Sequence, residues 1–137
     1  MRSVLNYVPL MAFVVIAYNL IGLISSGALE TTLISFGLLS GAVFAIQVKE
    51  VIILAGLILL YIEMAKATRT TNVSITDHAV SLLVLIVCIV ELIVVPFCGT
   101  ATFFLLTIMA AIDVVAGFTI TISGAKRDWT ATHDGGH

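Results

Sequence analysis

Four ionisable residues, Lys49, Glu50, Glu91 and Asp113, stand inside stretches that are otherwise almost wholly apolar. Such groups have few options away from water. An unmatched charge at the centre of a membrane helix costs about 2.5–3.5 kcal/mol even on the lenient insertion scale. It must therefore pair, take up a proton or touch water. Two chemistries fit these residue types. One is a proton or cation pathway that runs through intramembrane carboxylates. The other is a buried polar network that fixes helix register or joins the chain to a partner. The network ranks first, because carriers are usually built from repeats and broken helices that a chain of 137 residues lacks. Lys49 is expected to pair with Glu91 or Asp113.

The spacing of the small and polar residues gives these groups a shared geometry. Ala12, Asn19 and Ser26 repeat at seven residues, with Gly22 adjacent, and Lys49, Gly56 and Glu63 do the same. Gly37, Gly41 and Ala45 lead up to Lys49 at intervals of four, Glu91 and Cys98 are seven apart, and Asp113, Gly117, Thr121 and Gly124 share a helix face. In lipid, side chains of this kind turn toward partner helices or water. Asn19, Lys49, Glu50, Glu91 and Asp113 are thus the candidate intramembrane polar network. Gly37, Gly41, Gly56 and Gly117 are the candidate helix-packing positions, with Gly37-x-x-x-Gly41 as a dimerisation face. Glu50 sits about 100° around the helix from Lys49, where it would meet another subunit.

Elements able to position such a network follow from composition. Apolar residues make up 61% of the chain and charged residues only 10%, against about a quarter charged in an ordinary soluble domain. The chain reads as a single all-α domain, an integral membrane four-helix bundle in contact with a lipid bilayer. The expected spans are residues 4–25, 41–66, 79–97 and 101–124, each close to the ~20 residues that a crossing helix needs, followed by a tail over 125–137. Only 12 residues separate Glu50 from Glu63, about 18 Å of helix. The second span must therefore take in Lys49 and Glu50, within the apolar layer or at its edge. Residues 31–40 are an interfacial turn of helix, a re-entrant piece or an extension of that span. Strands are a poor reading, since no run alternates polar with apolar residues.

Turn and charge signals support this layout. Ser25-Ser26-Gly27 closes the first helix, a polar run over 69–77 links the second to the third, and Pro96 and Gly99 flank a tight hairpin of helices. Arg2, Lys66, Arg69, Lys126 and Arg127 fall on one side of a four-pass arrangement, which places both termini in the cytoplasm. Trp129 and Tyr7 lie where a cytoplasmic aromatic belt would be. An alternative reads the first helix as a cleaved signal, but its apolar run exceeds the 7–15 residues typical of one.

Several classes lack support. There is no basic patch for nucleic acid, no phosphate loop and no catalytic Ser/His/Asp or Cys/His set, so no enzyme activity is expected. Cofactors and metals are expected to be absent; no histidine falls within the expected spans to hold a haem. Cys88 and Cys98 are too far apart along one helix to bridge. Asp77 and His78 read as a helix start rather than a metal site, and Glu63 with Lys66 as an ordinary i,i+3 pair. The segment over 112–128, Ile-Asp-Val-Val-Ala-Gly-Phe-Thr-Ile-Thr-Ile-Ser-Gly-Ala-Lys-Arg-Asp, resembles the final helix of uncharacterised small four-helix bacterial inner-membrane proteins. That resemblance implies the four-span layout and a bacterial inner (cytoplasmic) membrane, and no activity. The expected role is an accessory or structural subunit, or a self-associating membrane protein acting as a homo-oligomer or within a larger membrane complex. The alternative is a small oligomeric proton- or cation-conducting protein. A third is an assembly factor that holds a partner helix in the seam.

Overall fold

The computed structural model describes residues 8–69 and 75–134. Four α-helices form the body: α1 (Leu10–Ile24), α2 (Val48–Arg69), α3 (Ile75–Val94) and α4 (Ala101–Asp134). A two-stranded antiparallel hairpin, β1 (Thr32–Gly37) and β2 (Val43–Gln47), stands between α1 and α2. Short 3-10 turns, Ser26–Glu30 and Pro96–Cys98, follow α1 and α3.

Length separates the helices into two kinds. α2, α3 and α4 are long and apolar enough to cross a membrane, so the chain is a multi-pass membrane protein with a helical bundle. α1 has 15 residues, a rise of about 22 Å, short of the ~30 Å hydrocarbon core. The expected start at residue 4 is not seen: Pro9 is extended at the N-cap and α1 begins after it, while residues 4–7 lie outside the described residues. α4 errs the other way. Its 34 residues rise about 51 Å, so part of the expected tail is a helical extension carrying Lys126, Arg127 and Trp129. The third span also shifts from the expected 79–97. α3 stops at Val94 because Val95 precedes Pro96 and takes an extended conformation.

The largest correction concerns residues 31–47. The second span was expected from 41, yet α2 starts at Val48, and residues 32–47 form the hairpin. Two bonds set this boundary. Glu50 Oε2 accepts the Gln47 N–H at 2.7 Å, a third-position acid reaching back to the N-cap. The Val48 N–H donates to the Thr31 carbonyl at 3.0 Å, closing the base of the hairpin. At the tip, the Gly41 N–H donates to the Leu38 carbonyl at 2.9 Å, the Leu38 N–H donates to the Ala42 carbonyl at 2.8 Å, and Gly41 takes φ 86, the left-handed residue that a three-residue hairpin loop requires. Gly37 and Gly41 are consequently not on a helix, and the dimerisation face read from them does not exist.

Packing converges on α4. α1 turns Met11, Val14, Val15, Tyr18 and Gly22 inward, a helical spacing of three, four and seven, against a core that includes Phe103, Leu106, Met109 and Ala110 of α4. α2 contributes Ile52, Gly56 and Leu60. Gly56 is where three helices meet: a Cβ there would lie 2.5 Å from Met109 Cε, 3.4 Å from Leu106 and 3.5 Å from Val14. α3 buries little besides Cys88, and Leu83, Ile86, Val90 and Ile93 remain exposed along it. In a bilayer those side chains face lipid tails rather than water.

Candidate functional site

The polar side chains that join helices gather in two clusters, one at each end, while the buried Thr107 hydroxyl of α4 lies between them and donates to the Phe103 carbonyl of its own helix at 2.9 Å. At the end nearest the hairpin, Asn19 of α1 is the hub. Its Nδ2 donates to Glu91 Oε2 of α3 at 3.0 Å and to its own helix at the Val15 carbonyl, also 3.0 Å. Its Oδ1 accepts the Cys98 thiol at 3.6 Å. Both amide protons and the carbonyl are therefore in use, and the amide serves as the neutral partner of Glu91. Burial and the nearby Glu91 carboxylate push the Cys98 thiol up to about 11, which keeps it a donor at neutral pH. Cys88 and Cys98 are both buried and free. They lie on different elements, α3 and the 3-10 turn, rather than on one helix as expected.

Tyr18 lies one residue before Asn19 and secures the same junction. Its hydroxyl donates to the Phe97 carbonyl at 3.0 Å and meets Thr100 Oγ1 at 2.7 Å. Thr100 Oγ1 in turn accepts the Phe103 N–H at 3.2 Å, an N-cap for α4. The Tyr18 and Phe103 rings pack with centroids 5.0 Å apart. Gly22 leaves room for the Phe97 ring, which a Cβ would meet at 2.5 Å. One turn of α1 thus binds the α3–α4 connection.

At the basic end the second cluster is built from α1, α2, α3 and α4. Asp113 of α4 is buried, and its polar neighbours are Ser81 and His78 of α3. Glu63 of α2 lies close enough to interact with Asp113. Glu63 Oε2 accepts the Leu10 N–H at 2.7 Å, where a carboxylate satisfies the positive end of α1. His78 Nε2 meets Thr121 Oγ1 at 2.7 Å, and its ring stacks on Phe118 with centroids 4.9 Å apart. Gly117 sits under that ring, 3.0 Å from where its Cβ would fall. Asp77 Oδ1 is buried without a hydrogen-bond partner among the described residues.

Sequence reasoning placed some of these groups and missed others. Asn19 and Glu91 come together, and Gly56 and Gly117 are tight packing positions. Asp113 belongs to the other cluster, about ten residues or 15 Å along α3 from Glu91. Lys49 does not pair with Glu91 or Asp113. It stands in the first turn of α2, half-buried, while Glu91 accepts its hydrogen bond from Asn19. Asp113 lies level with Glu63, some 14 residues or about 21 Å along α2 from Lys49. Glu50 is exposed and caps α2. Glu63, Tyr18, Ser81 and His78 were not assigned to the network. For His78 the missed signal is its three-residue offset from Ser81, which puts both on one face; it falls inside the span that begins at Thr76.

Between the clusters lies an apolar layer that includes Val14, Gly56, Leu60, Leu106, Met109 and Ala110. An open groove of about 470 Å³ runs along the outside of α2 and α4, lined by Met64, Ile112, Val115 and Thr119 among others, without a charged residue. No known protein family, curated protein or solved structure matches the chain. The clusters therefore carry the functional argument alone.

Proposed function

We propose that this chain is a structural component of a bacterial inner membrane, an accessory or self-associating subunit whose intramembrane polar groups lock helices together. In this reading both ends of the chain lie on the cytoplasmic side, where Lys66, Arg69, Lys126 and Arg127 gather. One observation carries the proposal: the polar groups that join helices divide into two clusters, and the layer between them is apolar apart from Thr107, whose hydroxyl is bonded back to its own helix. A relay needs hydrogen-bonding groups or water in sequence across the membrane. Here about 14 Å separates Asn19 from the Glu63-capped start of α1, and Val14, Gly56, Leu106 and Met109 fill that depth. Both amide hydrogens of Asn19 are already committed, to Val15 and Glu91, and an amide does not itself take up and release protons near neutral pH.

The second reading, a small proton- or cation-conducting protein, draws support from the gathering of Glu63, Asp113 and His78 at the basic end. Reconstitution separates the two. Proteoliposomes carrying an internal pH dye are expected to show no proton or potassium flux above that of empty vesicles. A flux that Asp113→Asn or Glu91→Gln abolishes would establish conduction and remove the structural reading.

A further inference from the structure

We infer that the β1–β2 hairpin is a self-association surface whose partner is the same hairpin in a second copy of this chain. The inference deepens the self-associating reading above and rests on it.

The register makes the hairpin two-sided. Phe36 faces Phe44 and Ile34 faces Ile46 across the strands, while Ser35 pairs with Ala45 and Gly37 with Val43. Directly paired residues share a face. One face therefore carries two phenylalanines, 5.1 Å between centroids, and two isoleucines. The other face is small. A hairpin of this form ordinarily buries its apolar face on a helix or further strands, because two strands alone are marginal. This one does not. It joins the bundle at its base, and Leu33, Ile34, Phe36, Leu38, Val43 and Phe44 remain 41–73% exposed, with Leu39 fully exposed at the tip.

Two observations select a second copy over lipid. The first concerns the edges. Among the described residues the sheet has only two strands, so each has one edge without a partner strand. No charge occurs between Glu30 and Lys49 and no proline between Pro9 and Pro96, whereas proteins that keep an edge unpaired place such residues there. Hydrocarbon cannot satisfy the edge N–H and C=O groups. A strand from another copy can. The second concerns the number of strands. Edge-to-edge addition in a two-fold arrangement would give a four-stranded sheet with the Phe36–Phe44 faces continuous, and three or more strands with an apolar face are what a sheet needs to be stable where two are marginal.

The test uses the full chain in nanodiscs of phosphatidylethanolamine and phosphatidylglycerol. Cys88 and Cys98 are buried, so Ser35→Cys supplies the reporter thiol. The wild-type chain is expected to run as a dimer by mass photometry, and Ser35→Cys to cross-link on mild oxidation. Phe36→Lys is expected to shift the population to monomer by tenfold or more in dissociation constant. Circular dichroism should show its helices unchanged, because the hairpin packs on little of the bundle. A wild-type dimer that persists in Phe36→Lys, without cross-linking at Ser35→Cys, overturns the hairpin surface and leaves self-association standing. A wild-type monomer overturns both. Quenching of a Phe36→Trp reporter by brominated acyl chains would assign the face to lipid and also overturn the inference.

Discussion

The two polar clusters solve the same problem by different means. Near the hairpin, a single acid, Glu91, is matched by an amide, and both polar atoms of Asn19 are engaged. At the basic end two acids, Glu63 and Asp113, share a neighbourhood with an imidazole, and Asp77 Oδ1 has no hydrogen-bond partner among the described residues. The first arrangement ties three elements through one amide, suited to fixing the register of α1 against α3 and the α3–α4 turn. The second holds two acids and an imidazole at the basic end, with Asp113 buried and Glu63 half-buried. Reliance on one amide makes the first cluster the more sensitive to truncation. A buried hydrogen-bonding group loses more when its partner is removed than when both are replaced.

That contrast can be broken by substitution. Asn19→Leu, which strands the Glu91 carboxylate and the Cys98 thiol, is expected to destabilise the bundle by about 3 kcal/mol. Thermal unfolding in mild detergent measures this. Pairing it with Glu91→Leu should recover much of the loss; strictly additive effects would show that the two residues do not interact. Gly56→Val tests the apolar layer. The added atoms would meet Met109, Leu106 and Val14, and an overpacking cost of about 2 kcal/mol is expected.

At the basic end the expected effects are smaller. Glu63→Gln keeps an acceptor for the Leu10 N–H and loses only the charge at the start of α1, a change of about 0.5–1 kcal/mol. A loss as large as that of Asn19→Leu would contradict the ranking of the clusters.

The smallest effect is one of pH. The Cys98 thiol is raised in the folded chain to about 11 from an ordinary 9, so the folded state holds its proton more tightly than the unfolded state. Stability from this group is full below pH 9 and is lost as pH rises through 9 toward 11. Cys98→Ser keeps the donor to Asn19 without titrating in that window. The difference in melting temperature between wild type and Cys98→Ser should therefore be constant below pH 9 and change only above it.

Parts of this organisation were legible in the chain itself. The seven-residue spacing of Glu91 and Cys98, and the placement of Asn19 at a matching depth, pointed to groups that do meet at Asn19. Gly56 and Gly117 were identified as close-approach positions, because in lipid small residues mark helix contacts. Residues 31–48 were not legible as a hairpin. With neither charge nor polar alternation, a strand pair and a membrane helix carry the same apolar signal. Only the Ser40-Gly41 turn and the β-branched and aromatic residues around it leaned toward strands. Glu63 was read against its sequence neighbour Lys66, and its bond to Leu10, 53 residues away, had no local trace.

The sequence alone determined that this chain enters a bilayer, since a chain 61% apolar and 10% charged cannot cover its surface for water. It also determined which helix faces carry small and polar groups, because helical periodicity is a local property. The tertiary structure decided which of those groups are neighbours. It gave Glu91 an amide in place of Lys49, drew Asp113 toward Ser81, His78 and Glu63, and left an apolar layer between the two sets. Partner choice depends on depth and rotation of whole helices. Those are set by where each helix starts and stops, by the Pro9, Glu50 and Pro96 boundaries, and by packing at Gly22, Gly56 and Gly117.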